Sequence, residues 1–116
     1  MIEVYHNPRC GKSRNCLAFL DNQNQEYNIT KYLEEAPSTE TLKALLEKLQ
    51  IKAIDLVRQK EKIWIENYKN QEMTDEAVIQ AMVLHPILIE RPIIIKGNKA
   101  IIAREMDKIE TFFKES

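Results

Sequence analysis

Cys10 is the residue of this chain best suited to nucleophilic chemistry. It stands in the run His6-Asn7-Pro8-Arg9-Cys10-Gly11-Lys12-Ser13-Arg14. Before this run, from Ile2 to Tyr5, the side chains alternate in polarity as in a short strand. After Cys10, apolar side chains recur at helical spacing. A cysteine at such a junction meets unpaired backbone N–H groups, the positive end of the helix dipole and the basic residues of the run. Because all of these favour the thiolate, the sequence predicts a reactive cysteine.

The tetrad from Cys10 to Ser13 is a Cys-x-x-Cys redox motif whose second cysteine is replaced by serine. Cys16 is poorly placed as a substitute. Six helical residues rise by about 9 Å, which exceeds the roughly 7 Å between Cα atoms that a disulfide tolerates. We therefore expect Cys16 to lie in the core and the resolving thiol to come from another molecule.

Other kinds of site fit the sequence less well. A nucleotide P-loop ending at Gly11-Lys12-Ser13 would need a glycine at position 6, where the chain has His6. A phosphatase-like loop would need an arginine in place of Cys16. The histidines and cysteines lack metal-ligand spacing, so we predict no metal site. For His6, two interpretations stay open: it tunes the Cys10 thiolate, or it is a loop histidine bonded to backbone.

Arginine is the scarcer of the two basic residue types, since lysines supply most of the 17 basic side chains. The planar guanidinium holds tetrahedral oxyanions by two-point contacts, which lysine cannot reproduce. Arg9 and Arg14 flank Cys10. Whether Arg58, Arg91 and Arg104 converge on it depends on the fold.

Length and composition restrict the remaining possibilities. The 116 residues predict one domain, 1–116, and a net charge of −1 argues against a nucleic-acid-binding protein. No apolar run is long enough to cross a membrane, and the N-terminus enters a strand with no signal peptide. Two cysteines without scaffold spacing indicate a reducing cytoplasm.

The elements that must position Cys10 follow from periodicity and turn residues. A strand at 2–5, a helix at about 11–22 and a strand around 26–30 form a βαβ unit. A helical insertion at about 38–85 follows, with Ser38 and Thr74 as helix N-caps and His85-Pro86 as a terminator. Strands at 93–95 and 100–103 flank a Gly97-Asn98 turn, and an amphipathic helix ends the chain. This order predicts an α/β fold of the thioredoxin/glutaredoxin type. There, the proline equivalent to Pro92 is cis and would bring Arg91 beside Cys10.

Two long motifs, Tyr5 to Asn15 and His85 to Ile95, resemble the arsenate reductase family of the glutathione/glutaredoxin-linked type, and the similarity extends over nearly the whole chain. The resemblance implies that Cys10 is the nucleophile and that Arg58, Arg91 and Arg104 bind the oxyanion. It also implies that His6 and Ser13 assist the thiolate. The implied partners are arsenate, glutathione as co-substrate and glutaredoxin, with no tightly bound cofactor, and we expect a monomer.

Two alternative functions share this fold. One is a regulator similar to the Spx-type transcription regulators, which bind RNA polymerase; many of them carry Cys-x-x-Cys where this chain has Ser13. The other is a glutathione-dependent thiol reductase with a different substrate. The complete arginine triad and the missing second cysteine favour arsenate reduction.

Overall fold

The computed structural model describes residues 2–115, apart from the side chain of residue 115. The chain divides into two units, one formed by residues up to Glu35 together with those from Arg91 onward, and the other by Ala36–Glu90. The second unit is close to the predicted insertion at about 38–85, while the prediction of a single domain stays a prediction. In chain order the strands and α-helices are β1 (Ile2–Tyr5), α1 (Gly11–Asn22), β2 (Tyr27–Thr30), α2 (Thr39–Leu49), α3 (Lys62–Asn67), α4 (Asp75–Leu84), β3 (Ile93–Lys96), β4 (Lys99–Ile102) and α5 (Met106–Glu115).

The first unit is built on a four-stranded sheet in the order β2-β1-β3-β4. β1 pairs in parallel with β2 and antiparallel with β3, and β3 pairs antiparallel with β4, which confirms the predicted thioredoxin-like arrangement. Tyr5 lies opposite both Thr30 and Ile93, and Ile93 lies opposite Ile102. These four residues therefore mark one end of the sheet, which we call the site end. The chain passes from it directly into the Cys10 loop.

The core of this unit joins the sheet to both of its helices. Its buried members are Ile2, Val4, Cys16, Leu20, Ile94, Ala103 and Ile109. Leu20 is fully buried, and burying a side chain of that size stabilises the folded state by about 1.5–3 kcal/mol. Cys16 has no solvent exposure, which confirms that it belongs to the core.

The hairpin between β3 and β4 turns at Gly97-Asn98, as predicted. Gly97 has a φ of +61°, a backbone conformation that glycine adopts without steric cost. Pro92 precedes β3, and the Arg91–Pro92 peptide bond is cis, as expected for the fold. β3 is an interior strand of the sheet, so Pro92 does not begin an edge strand.

The second unit is helical. Ser38 caps α2 by accepting a hydrogen bond from the Thr41 N–H at 3.2 Å, and Thr74 caps α4 in the same way through Ala77 at 3.1 Å. His85 ends α4, as predicted. Between the two helices lie a short 3₁₀ helix at Ala53–Leu56 and α3, and a second 3₁₀ helix, Pro86–Leu88, follows α4. Within residues 2–115, no helix is long and apolar enough to cross a membrane.

Candidate active site

Cys10 is the N-cap residue of α1. Its backbone is extended, with φ −93° and ψ 122°, and its carbonyl oxygen accepts a hydrogen bond from the Arg14 N–H at 3.1 Å. The residue is partly exposed. The first turn of α1 contains no acidic residue, so no carboxylate opposes the positive end of the helix dipole there. The predicted position of the cysteine at a strand-to-helix junction is confirmed.

Asn7 organises the loop that carries Cys10, a role that the sequence analysis missed. Its backbone carbonyl accepts the Cys10 N–H at 3.0 Å, and its side-chain Oδ1 accepts the Arg9 N–H at 3.0 Å. Its own N–H donates to Ser13 Oγ over 3.4 Å, a long hydrogen bond. The signal was available, because asparagine before proline marks a turn closed by the asparagine side chain.

Ser13 lies in the first turn of α1 and is fully buried, with its hydroxyl turned to the Asn7 backbone. Such a hydroxyl accepts a hydrogen bond from the loop and can still donate its own proton in a second hydrogen bond. The structure thus ties Ser13 to the Cys10 loop through Asn7. Its assistance to the thiolate stays a prediction.

His6 follows β1 and is only 7% exposed. Its backbone N–H donates to Thr30 at 3.0 Å, but within residues 2–115 its side-chain Nδ1 has no hydrogen-bond partner. Burial lowers the pKa of the imidazole, and the positive charges of Lys31 and Arg14 lower it further. The ring is therefore neutral at pH 7. Its Nδ1 does not bond to the backbone of the described residues, which was one of the two interpretations of His6.

Arg91 and Arg104 both lie at the site end of the sheet, one just before β3 and the other just after β4. Their neighbours Pro92 and Ala103 are joined by a backbone hydrogen bond of 2.7 Å. The two side chains differ in burial, since Arg91 is 9% exposed and Arg104 is exposed. The fold thus brings the backbones of two predicted oxyanion ligands to the end of the sheet from which the Cys10 loop departs.

Arg58 belongs to the helical unit, and its convergence with the other two arginines stays a prediction. Its guanidinium is held by two carboxylates, Glu61 at 2.9 Å and Glu90 at 3.5 Å. Its backbone N–H donates to the Leu88 carbonyl at 2.7 Å, beside a β-bridge between Val57 and Ile89. The acidic partners were not singled out from the sequence.

Within the described part of the chain, no three histidine, cysteine or acidic side chains form a group that could hold a metal ion. The groups that the fold brings to the site end are a thiol, an imidazole, a hydroxyl and guanidinium ions. A partly exposed thiol at a helix N-terminus is an arrangement suited to covalent catalysis on an oxyanion.

Comparison with known proteins shows the family of this chain. A family model described as ArsC family matches residues 5–112. Uncharacterized protein YfgD of Escherichia coli (strain K12) is 41% identical over 110 residues, which cover 93% of this chain and 92% of that protein. A protein of Neisseria meningitidis named arsenate reductase is 34% identical over 111 residues, 94% of this chain and 95% of the other. A solved structure described as arsenate reductase from Vibrio cholerae is 38% identical and covers 95% of each chain, with a TM-score of 0.90. Agreement over nearly the full length, in sequence and in fold, shows that the chain belongs to the ArsC family.

Proposed function

We propose that this protein is a cytoplasmic, monomeric arsenate reductase that takes its electrons from glutathione and glutaredoxin. One observation carries the proposal: Cys10 begins α1 next to the sheet end at which Arg91 and Arg104 lie. The names of two relatives, arsenate reductase from Neisseria meningitidis and from Vibrio cholerae, support the choice of arsenate. No tightly bound cofactor is part of the proposal.

Substrate binding uses charge and geometry together. Arsenate is a tetrahedral anion, and it would be held by the guanidinium groups of Arg58, Arg91 and Arg104 beside the N-terminus of α1. The same guanidinium groups stabilise the charge that remains on the arsenate oxygens while sulfur attacks.

In the first chemical step the Cys10 thiolate attacks arsenic. An S–As bond forms, and one arsenate hydroxyl accepts a proton and leaves as water, so arsenic remains pentavalent. His6 and Ser13 would assist the thiolate, the neutral imidazole as a proton relay and the hydroxyl as a hydrogen-bond donor.

In the second step the glutathione thiolate attacks Cys10 Sγ. The S–S bond forms while the S–As bond breaks, and the electron pair of the broken bond passes to arsenic, which leaves as trivalent arsenite. Cys10 is left in a mixed disulfide with glutathione. Glutaredoxin clears it by thiol–disulfide exchange.

A coupled assay tests the proposal directly. It contains arsenate, glutathione, glutaredoxin, glutathione reductase and NADPH, and it follows NADPH oxidation together with arsenite release. We expect an arsenate-dependent rate that requires glutathione and is lost in Cys10→Ser. Absence of an arsenate-dependent rate would contradict the proposal and leave the two alternatives, a polymerase-binding regulator or a thiol reductase with another substrate.

A further inference from the structure

A cleft opens beside the segment that leads into Cys10. Its volume is about 260 Å³. One wall belongs to the loop after β1 and the other to the loop after β2. The residues of the two walls that bear on its chemistry are His6, Pro8, Arg9, Lys31, Leu33 and Glu34.

The strand order places this cleft and the two arginines on opposite sides of β1. β2 lies on one side of β1, and β3 and β4 lie on the other. Lys31 directly follows β2, whereas Arg91 precedes β3 and Arg104 follows β4. The loop that carries Cys10 leaves from the end of β1, the strand that lies between β2, which leads to Lys31, and β3, which follows Arg91.

Displacement at sulfur restricts where the second substrate can bind. A thiolate that attacks a sulfur atom approaches in line with the bond that breaks, from the side opposite to the leaving group. If arsenic on Cys10 Sγ is held on the arginine side, the attacking thiolate must arrive from the opposite side. That is the side of the cleft.

We propose that the cleft binds the attacking thiol, a peptide thiol with two carboxylates and one ammonium group, which is the chemistry of glutathione. This inference rests on the proposed function, which it extends by giving the thiol a binding site. The exposed cations Arg9 and Lys31 suit the carboxylates, and Glu34 suits the ammonium group. His6, whose buried Nδ1 has no hydrogen-bond partner within residues 2–115, lines the same cleft.

The β2-side wall is built firmly enough to hold a ligand. Tyr32 is fully buried and stacks on Tyr5, with ring centroids 6.1 Å apart. The N–H groups of Glu34 and Glu35 both donate to the Lys31 carbonyl at 2.9 Å. A wall fixed in this way presents Lys31 and Glu34 without a large ordering cost on binding.

The test compares two disulfides that react at the same atom. The Cys10 thiolate attacks glutathione disulfide, forms the Cys10–glutathione disulfide and releases one glutathione thiolate; bis(2-hydroxyethyl) disulfide reacts in the same way but carries no charge. Intact-mass kinetics at about 0.15 M ionic strength, where longer-range charge effects are screened, give the ratio of the two rate constants. A substitution that changes the reactivity of the Cys10 thiolate alters both rate constants by the same factor, so this effect cancels in their ratio.

We expect Lys31→Glu and Arg9→Glu each to lower the ratio by about five-fold or more, because attraction to a carboxylate becomes repulsion. The matched control is Lys12→Glu, which reverses a charge in the first turn of α1 but outside the cleft. Its ratio should change by less than about two-fold. An unchanged ratio in both cleft variants, or an equal drop in Lys12→Glu, would overturn the proposed cleft.

The outcome is independent of arsenate chemistry. If the protein fails the arsenate assay but its cleft variants show the predicted drop in the ratio of rate constants, it has a thiol-binding cleft and a different substrate. If it reduces arsenate and the ratio is unchanged in the variants, it has the proposed function and its thiol binds elsewhere.

Discussion

The backbone N–H of Ala103 donates to the carbonyl oxygen of Pro92 over 2.7 Å. This hydrogen bond joins the residue before Arg104 to the residue after Arg91, and it extends the β3–β4 pairing beyond the Ile93–Ile102 pair. Since both partners are backbone atoms, replacement of either arginine side chain leaves the connection in place. Effects of such replacements on activity therefore report on the guanidinium groups.

Lysine substitutions at the three arginines should weaken arsenate turnover while conserving charge. Arg58→Lys, Arg91→Lys and Arg104→Lys each lose the two-point contact that guanidinium makes with an oxyanion. One lost charge-assisted contact costs about 1.5–3 kcal/mol, which corresponds to roughly 10- to 150-fold in kcat/KM. Steady-state kinetics with arsenate measure this loss. The control Arg14→Lys, on the exposed surface of α1, should lose much less.

Stability should separate two of these variants, Arg91→Lys and Arg104→Lys. Arg104 is exposed, so Arg104→Lys should change the free energy of unfolding by less than about 0.5 kcal/mol. Arg91 is buried, and its replacement should cost about 1–3 kcal/mol. Urea unfolding gives both values. Unchanged arsenate kinetics in all three variants would show that these arginines do not bind substrate.

The two thiols should differ sharply in reactivity. Burial raises the pKa of the Cys16 thiol to about 12, so at pH 7.5 it carries almost no thiolate. Iodoacetamide should label one cysteine in the folded protein, none in Cys10→Ser and one in Cys16→Ala, and Cys16→Ala should keep most of its turnover. Mass spectrometry counts the labels. A Cys10–Cys16 disulfide formed during turnover would contradict the external-thiol mechanism.

The same burial predicts a loss of stability at alkaline pH. The folded-state pKa of Cys16 lies above that of the unfolded thiol, so the unfolded state releases its proton first as pH rises. The free energy of unfolding should therefore fall from about pH 8.5 upward. Tyr5, whose pKa burial raises to about 12, should add to the fall from about pH 10. Cys16→Ala should lack the first part of this decline, which denaturant curves at several pH values will show.

The fold was largely predictable because its signals are local. Alternation in β1, the polar caps Ser38 and Thr74 and the Gly97-Asn98 turn each act within a few residues, and each prediction is confirmed. The burial of Arg91 beside an exposed Arg104 was not predictable. It depends on how β3 is enclosed within the sheet, which no local pattern encodes.

The site was predictable only where chemistry follows from residue type. Cys10 was found because a cysteine at a strand-to-helix junction has a physical reason to be reactive. Asn7 was missed although its Oδ1 and its carbonyl oxygen fix the loop, since asparagine before proline reads first as an ordinary turn. The carboxylates that hold Arg58 come from two separate segments, so only the folded chain reveals the pair.

Asn7 should act on Cys10 by positioning the loop. Asn7→Ala removes the acceptor for the Arg9 N–H and should lower the free energy of unfolding by about 0.5–1.5 kcal/mol. Asn7→Asp keeps the acceptor but adds a negative charge near the thiolate, so the pH midpoint of Cys10 alkylation should rise. Alkylation rates across pH measure that shift. Asn15→Ala, on the exposed face of α1, is the control and should change neither property; an unshifted midpoint in Asn7→Asp would remove Asn7 from the site.

His6 should stay neutral to a lower pH than an ordinary histidine. Burial lowers its pKa most, followed by the charges of Lys31 and Arg14. An NMR titration should therefore place its inflection below about 6.5. Lys31→Met removes one of the two charges and should raise the inflection, whereas Lys12→Met should leave it where it is.

The same shift fixes how His6 affects stability. Its folded-state pKa lies below that of the unfolded chain, so between the two values the unfolded state binds more protons. The free energy of unfolding should fall as the pH drops below about 6.5, and His6→Asn should lose this part of the acid dependence. An inflection above about 7.5 in the folded protein would mean that most of the imidazole is charged at neutral pH. A charged ring could not take a proton during turnover, and the relay proposed for His6 would be wrong.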